Sequence, residues 1–150
     1  MNKVREGLWI SDLYSVANKE TLDGAGITAI LSCVMPDERV FLRDPHGRKI
    51  SHVNINDGEP YPFHWLTKAL EQLDLWLQDG EVVVVHCAAG ISRSSSTVIA
   101  HLIGHGLTWD EAEKEVRAAR PIIQPHPDLK RSILQYYKVW PYDGSMEPKE

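Results

Sequence analysis

The residues of this chain that are best suited to chemistry lie in one short stretch, His86-Cys87-Ala88-Ala89-Gly90-Ile91-Ser92-Arg93-Ser94. Cys87 offers a thiol that can act as a nucleophile, and Arg93 carries a planar guanidinium that can bind two phosphate oxygens at once. Gly90, between them, permits the backbone angles that a tight loop needs. An arginine and a ring of backbone N–H groups favour the thiolate form of a nearby cysteine. We therefore expect Cys87 to attack the phosphorus of a bound phosphate group.

The position of this stretch supports that interpretation. It follows residues 82–85, four consecutive valines, which predict a central strand buried on both faces. It precedes a predicted helix over residues 94–105, so its backbone N–H groups converge at a helix N-terminus, where anions bind. The alternative is that Cys87 is a small buried hydrophobe beside an ordinary turn. The combination of strand, cysteine, arginine, hydroxyl and helix favours a functional loop.

The rest of the chain alternates between strand-like and helix-like patterns. Strands are predicted at residues 7–10, as an edge strand, and at 27–34 and 50–55. Asn18 is predicted to cap a short helix ending near Gly26, and longer helices are predicted at 62–80, 108–120 and 127–140. This order predicts an α/β fold in which helices flank a central, mostly parallel sheet of about four to five strands. We expect one domain over residues 1–140 and a flexible C-terminal tail over 141–150.

Composition excludes several classes of function. The chain has 150 residues and a formal net charge of −5, which argues against a broad surface for nucleic acid or for anionic lipid. Two cysteines are too few for a disulfide scaffold. No apolar run is long enough to span a membrane, and the N-terminus has no signal-peptide pattern. We expect a cytoplasmic protein, and the sequence does not give its oligomeric state.

Residues 86–94 match the pattern His-Cys-x-x-Gly-x-x-Arg-Ser, which resembles the signature of cysteine-dependent protein tyrosine phosphatases. The longer string HCAAGISRSSSTVIAHLI is similar to their dual-specificity branch, as are Gly7-Leu8-Trp9-Ile10-Ser11 and Ala119-Arg120-Pro121. The resemblance covers about residues 4 to 140. One departure is Ile123-Gln124-Pro125-His126, where the family more often has Pro-Asn; it is expected to alter the packing of the last helix.

The resemblance implies a protein tyrosine phosphatase-like fold and a role for each residue of the loop. Cys87 would be the nucleophile, and Ser94 would stabilise its sulfur, although the Ser94 hydroxyl could equally cap the helix. His86 would support the loop through hydrogen bonds. The phosphate would be bound by Cys87, Ala88, Ala89, Gly90, Ile91, Ser92 and Arg93.

The resemblance also implies an aspartate that protonates the leaving group. Asp57 fits, because it follows the predicted strand at 50–55 and precedes Cys87 by 30 residues. The alternative is an ordinary turn residue, since Asp followed by Gly is a common turn pair. Glu59 is the next candidate, and Asp37 and Asp44 are weaker ones.

Together these features predict a phosphomonoester hydrolase that needs no metal or cofactor and forms a cysteinyl-phosphate intermediate. The resemblance implies protein or peptide substrates carrying phosphotyrosine, and also phosphoserine or phosphothreonine. The loop side chains between Cys87 and Arg93 carry no cation, which disfavours polyphosphorylated inositides and RNA 5′-triphosphates. The alternatives are a phosphatase of a non-protein ester, a phosphoprotein-binding module without activity, and rhodanese or arsenate-reductase chemistry.

His101 and His105 are four residues apart on a predicted helix, a spacing that can bind zinc. No third ligand is evident from the sequence, so we expect no metal site. Cys33 lies on a predicted strand and is expected in the core. A regulatory disulfide between Cys33 and Cys87 would require that their strands be neighbours.

Overall fold

The computed structural model describes residues 1–41 and 46–138. Asp44 and the predicted tail at 141–150 lie outside the described residues. Within them the chain forms a five-stranded sheet in the order β1-β2-β5-β3-β4. The strands are β1 (Asn2–Arg5), β2 (Leu8–Ser11), β3 (Ala29–Ser32), β4 (Lys49–His52) and β5 (Val83–His86). Only the pair of β1 and β2 is antiparallel among these. The predicted α/β class and the mostly parallel sheet are therefore confirmed.

Six α-helices are described in the same residues. They are α1 (Leu13–Val16), α2 (Lys19–Ala25), α3 (Phe63–Gln78), α4 (Arg93–Gly104), α5 (Trp109–Ala119) and α6 (Pro127–Lys138). A single 3-10 turn covers Glu38–Phe41. The boundary signals in the sequence are observed: the Asn18 side chain accepts a hydrogen bond from the N–H of Thr21, and Thr108 and Glu111 form a capping box. None of the described helices is long and apolar enough to cross a membrane.

One local prediction is wrong, and two short elements were not predicted. The strand at residues 7–10 is not at an edge, because β1 pairs with it on one side and β5 on the other. The sequence pattern does not predict β1, because its residues, Asn-Lys-Val-Arg, are mostly polar. A polar sequence is typical of an edge strand with one solvated face. Helix α1 was also missed: it is a single turn, capped by the side chain of Asp12, which accepts from the N–H of Ser15.

The central strand β5 is buried on both faces, as predicted. Val83, Val84 and Val85 have no exposed surface. Val83 and Val85 belong to the larger core cluster, with residues of α3 to α6, whereas Val84 packs with residues of α1 and α2. Each buried valine contributes about 1.5–3 kcal/mol of apolar burial. The loop that leaves β5 therefore starts from a strand fixed from both sides.

Candidate active site

The loop between β5 and α4 is held from outside through its carbonyl groups. The carbonyl of Ala88 accepts from the N–H of Leu13 (3.0 Å), and that of Ile91 accepts from the N–H of Gln124 (2.9 Å). Between them, the Arg120 guanidinium donates Nη2–H to Ala89 (3.0 Å) and Nε–H to Gly90 (2.7 Å). Four successive carbonyls are thus turned away from the centre of the loop.

This orientation determines where the backbone N–H groups point. In a planar trans peptide the N–H points opposite to the C=O of the same unit. The N–H groups of residues 89–92 are therefore turned towards the inside of the loop. No hydrogen bond ties these four N–H groups to another protein atom in the described part of the chain. A ring of inward N–H groups at the start of a helix is a binding site for an anion.

Gly90 is required by the shape of this loop. Its φ is +68°, in the left-handed region that glycine adopts without strain. A Cβ atom there would lie 2.8 Å from the backbone carbon and oxygen of Ser11, and equally close to Nη2 of Arg120. The close approach lets Arg120 reach the loop carbonyls, and no other residue type fits.

Cys87 lies at the base of the loop with 2% of its surface exposed. Its Sγ is 3.2 Å from the hydroxyl oxygen of Ser94, which is fully buried. The sequence left open whether Ser94 caps the helix. The N-cap of α4 is Ser92, so Ser94 lies inside the first turn, and its hydroxyl is placed to donate to the sulfur.

Arg93, the first residue of α4, is held by Glu38. Its Nη1 and Nη2 each donate to one carboxylate oxygen of Glu38, at 2.7 and 2.9 Å, and Nη1 also donates to the carbonyl of Ile55 at 3.2 Å. Burial lowers the pKa of Arg93, but Glu38 and the charges of Cys87 and Asp57 raise it above its ordinary value overall. The same contact lowers the pKa of Glu38.

These contacts leave one edge of the guanidinium available. An arginine has five N–H donors, of which Glu38 takes two and Ile55 one. The remaining donors, Nε–H and one Nη2–H, lie side by side along the other edge and form the fork that binds two oxygens of a phosphate. Glu38 therefore orients Arg93 without occupying the edge that would bind substrate.

Asp57 is exposed in the turn that follows Ile55. Its charge is among those that raise the pKa of Arg93. The carbonyl of Ile55, two residues earlier, accepts from Nη1 of Arg93, so this segment lies beside Arg93. Glu59, the second candidate acid, accepts from the side-chain amide of Asn56 at 3.2 Å. Asp57 has no hydrogen-bond partner among the described residues, and its carboxyl group is free to meet a ligand.

His86, the last residue of β5, is fully buried. Its Nδ1–H donates to the carbonyl of Cys87 at 3.3 Å. Burial lowers the pKa of His86 to about 4, so the ring is neutral at pH 7. The contact is compatible with the supporting role that the resemblance implies, which stays a prediction.

Cys33 lies beside Cys87, because its N–H donates to the carbonyl of His86. The neighbouring strands required for the hypothesised disulfide are present, but both cysteines are free thiols. Burial raises the pKa of Cys33 to about 12, and its sulfur lies 3.6 Å from the hydroxyl oxygen of Thr97. The Thr97 hydroxyl donates to the carbonyl of Arg93 at 2.9 Å. Cys33 therefore contacts Thr97, whose side chain binds the backbone of the first residue of α4.

Comparison with known proteins identifies the family. Residues 8–139 match the family model described as the dual specificity phosphatase catalytic domain. The chain belongs to this family. It is 32% identical over 139 residues to MAP kinase phosphatase with leucine-rich repeats protein 3 of Dictyostelium discoideum, covering 90% of this chain and 16% of that protein. It is 27% identical over 146 residues to dual specificity protein phosphatase 1B of Arabidopsis thaliana, covering 92% and 82%.

Solved structures support the same fold. The crystal structure of human tyrosine phosphatase-like serine/threonine/tyrosine-interacting protein matches with a TM-score of 0.85 and 25% identity, over 95% of this chain and 98% of that one. The chain spans only 16% to 22% of the length of three of the curated relatives it matches. What those whole proteins do is therefore a matter for proposal.

Sequence reasoning missed two residues that build the site. Glu38 lies 55 residues before Arg93, and no motif connects the two positions. Arg120 was noted only as part of a resemblance, although it binds two loop carbonyls.

His126, the departure from the family pattern, donates its N–H to Ser92 Oγ at 2.9 Å, and its Nδ1 accepts from the N–H of Asp128 at the start of α6.

We predict that Glu38→Gln lowers kcat/KM about tenfold to a hundredfold, because a misplaced catalytic group costs about that much. The amide keeps the size of the side chain but loses the charge and one acceptor oxygen that hold Arg93. Steady-state hydrolysis of p-nitrophenyl phosphate measures the effect. Asp37→Asn, at the adjacent exposed carboxylate, is the matched control and should keep wild-type activity. Equal activities of the two variants would contradict the role of Glu38.

We also predict that acid weakens the fold through His86. Its pKa is about 4 when folded and about 6.5 in an unfolded chain. Between these values the unfolded state binds a proton that the folded state does not, so stability present above pH 6.5 is lost as the pH falls towards 4. The full shift corresponds to about 3 kcal/mol.

Urea unfolding between pH 7 and pH 5 measures this loss, in a range where most carboxylates remain ionised. The slope of unfolding free energy against pH should become shallower in His86→Gln. The exposed His64 provides the control, and His64→Gln should keep the wild-type slope. An unchanged slope in His86→Gln would show that another group causes the acid sensitivity.

Proposed function

We propose that this protein is a protein phosphatase that hydrolyses phosphomonoesters through a cysteinyl-phosphate intermediate, without a metal. The observation that carries the proposal is the arrangement of three groups around one point. The Cys87 sulfur lies next to the Ser94 hydroxyl, the loop N–H groups turn inward, and the free edge of Arg93 is held in place by Glu38. Family membership supports the same chemistry.

In the first step, the Cys87 thiolate attacks phosphorus, and the bond from phosphorus to the leaving oxygen breaks. Asp57 gives its proton to that oxygen as it departs. The loop N–H groups and the Nε–H and Nη2–H of Arg93 bind the three equatorial oxygens, where charge develops in the transition state. The products are the free alcohol or phenol and a phosphorylated Cys87.

In the second step, a water molecule attacks the phosphorus of the cysteinyl phosphate. The Asp57 carboxylate, deprotonated by the first step, takes a proton from this water. The bond between phosphorus and sulfur breaks, and the Ser94 hydroxyl stabilises the leaving thiolate by donating a hydrogen bond. Inorganic phosphate leaves, and both Cys87 and Asp57 return to their starting protonation states.

The proposed substrates are proteins or peptides phosphorylated on tyrosine, and on serine or threonine. The names of the relatives describe dual specificity phosphatases, and the loop side chains Ala88, Ala89, Ile91 and Ser92 are uncharged. A substrate with several phosphates is expected to require more cations at the loop. The cytoplasm remains our expectation for where the protein acts.

A second candidate is a module that binds phosphoproteins without turnover. One structural neighbour is named as a phosphatase-like interacting protein, which favours keeping this alternative. A binding module needs the inward N–H groups and the Arg93 fork. It does not need a hydroxyl against the sulfur or a free carboxyl group beside the loop, and Ser94 and Asp57 supply both here. The presence of Ser94 and Asp57 therefore favours a phosphatase over a binding module.

Three substitutions test the mechanism on p-nitrophenyl phosphate in the presence of EDTA. Cys87→Ser should abolish turnover, because no thiolate remains. Asp57→Asn should lower kcat by about 10²- to 10⁴-fold, the usual contribution of a general acid. Ser94→Ala should slow the second step more than the first, so that a rapid burst of p-nitrophenol precedes a slow steady state. Glu59→Gln, in the same turn as Asp57, is the matched control and should keep most activity.

No turnover by folded, reduced wild-type protein would overturn the enzyme proposal. Retained binding of phosphopeptides in that case would identify the binding module instead. Phosphate release from peptides that differ only in carrying phosphotyrosine, phosphoserine or phosphothreonine tests the substrate class. Faster release from an inositol polyphosphate than from all three peptides would contradict the assignment to protein substrates.

A further inference from the structure

A second cluster of polar side chains lies away from the loop, between α3 and α4. Asp74 projects from α3, His101 projects from the last turn of α4, and His105 is the residue that caps the C-terminus of α4. The spacing of four residues places the two histidines on one face. One potential ligand atom from each of the three lies within 4.8 Å of the other two. Among residues 1–41 and 46–138, this is the one group of three such side chains. The sequence showed the two histidines but not Asp74, which is 27 residues earlier in the chain than His101.

We propose that Asp74, His101 and His105 form a binding site for a divalent transition-metal ion of the zinc type. Two imidazole nitrogens and one carboxylate oxygen are a ligand set that zinc accepts, with water in the fourth position. Magnesium and calcium prefer oxygen ligands throughout. The site therefore selects zinc over these harder cations. Our expectation from the sequence that there is no metal site is replaced by this proposal.

The distances suit a tetrahedral ion. Zinc bonds of about 2.0–2.2 Å at tetrahedral angles separate neighbouring ligand atoms by about 3.3–3.6 Å. One oxygen of Asp74 lies 3.5 Å from Nδ1 of His101 and 2.9 Å from Nε2 of His105. The two rings are neighbours as well, with centroids 4.5 Å apart. The potential ligand atoms of His101 and His105 lie within 4.8 Å of each other, and rotation of the half-exposed His105 side chain would bring them to the same spacing.

Burial divides the three ligands into one fixed and two adjustable groups. The side chain of His101 is only 7% exposed, whereas those of Asp74 and His105 are 46% and 52% exposed. His101 is thus an anchor held by packing, and the other two can rotate to complete the coordination. A hydrogen bond joins His105 and Asp74 in this structure, and a metal ion would replace the shared proton.

The surroundings leave space for an ion with its water. The three side chains line a cavity of about 270 Å³, together with Leu70 and Tyr137. The Tyr137 hydroxyl donates to the carbonyl of Ala100. Arg5, the nearby cation, forms two hydrogen bonds with the carboxylate of Glu115, which balances its charge.

The site is separate from the catalytic loop. His101 lies eight residues after Arg93 on the same helix, so it is about 12 Å further along the axis. A metal at this position connects the last turn of α4 with α3. Its expected effect is to stabilise the packing of these two helices, and it takes no part in the chemistry at Cys87.

Isothermal titration calorimetry with zinc chloride tests the proposal. The protein should be free of affinity tags, treated with EDTA and kept reduced. It should carry Cys87→Ser, so that zinc does not bind the active-site thiolate. We expect one ion per chain and a higher Tm in the presence of zinc, because the ion binds the folded state. Magnesium chloride should give neither effect.

Asp74→Asn and His105→Ala, made in the same background, should each weaken zinc binding by more than about tenfold. Both residues are partly exposed, so neither change empties the core. His64→Ala removes an exposed histidine from α3 outside the cluster and should leave binding unchanged. Cobalt chloride should give the visible absorption of a four-coordinate ion without a thiolate band, and His105→Ala should remove it.

The absence of saturable zinc binding would overturn the proposal. So would binding that persists unchanged in both Asp74→Asn and His105→Ala, or a magnesium response equal to that of zinc. Loss of binding in these variants but not in His64→Ala supports it. None of these readouts depends on phosphatase activity, so the experiment tests the metal site independently of the proposed function.

Discussion

The rest of the site depends on the outward orientation of the loop carbonyls. A loop of this kind has as many carbonyl oxygens as N–H groups, and the oxygens would repel a bound phosphate if they turned inward. Donors from two other parts of the chain bind these oxygens: Leu13 in α1, and Arg120 and Gln124 in the connection between α5 and α6. The energy that keeps the loop selective for anions therefore lies in contacts outside it. Contacts of this kind, made by the protein itself, are what preorganised electrostatic stabilisation requires.

Arg93 is likewise held in place by groups that lie outside the loop. A buried guanidinium without partners would be costly, and Glu38 and the carbonyl of Ile55 satisfy one end of it. Only the donors that would face a phosphate remain. The orientation of the Arg93 guanidinium is thus set by Glu38, which lies in a different segment of the chain.

Sequence patterns predicted the elements that depend on local chemistry. Four consecutive valines predicted the central strand, and the spacing of Cys87 and Arg93 predicted the loop after it. The edge strand β1 and the position of Glu38 were not predictable, because both are defined by partners distant in the chain. Asp57 is intermediate: its place after a strand was visible, but its closeness to Arg93 depends on how the sheet is ordered. Local signals indicated the candidate reacting groups, and tertiary contacts determine how their side chains are oriented.

The outermost strand of the sheet is also part of the wall around the loop. The side chain of Asn2 in β1 accepts a hydrogen bond from Nη1 of Arg120, the residue whose other nitrogens hold the carbonyls of Ala89 and Gly90. The edge of a domain is ordinarily where a fusion or a redesigned segment is best tolerated. Here the tolerance for such changes is limited, because β1 and the loop between β5 and α4 both bind the guanidinium of Arg120. Any partner attached ahead of β1 has to leave its pairing with β2 intact.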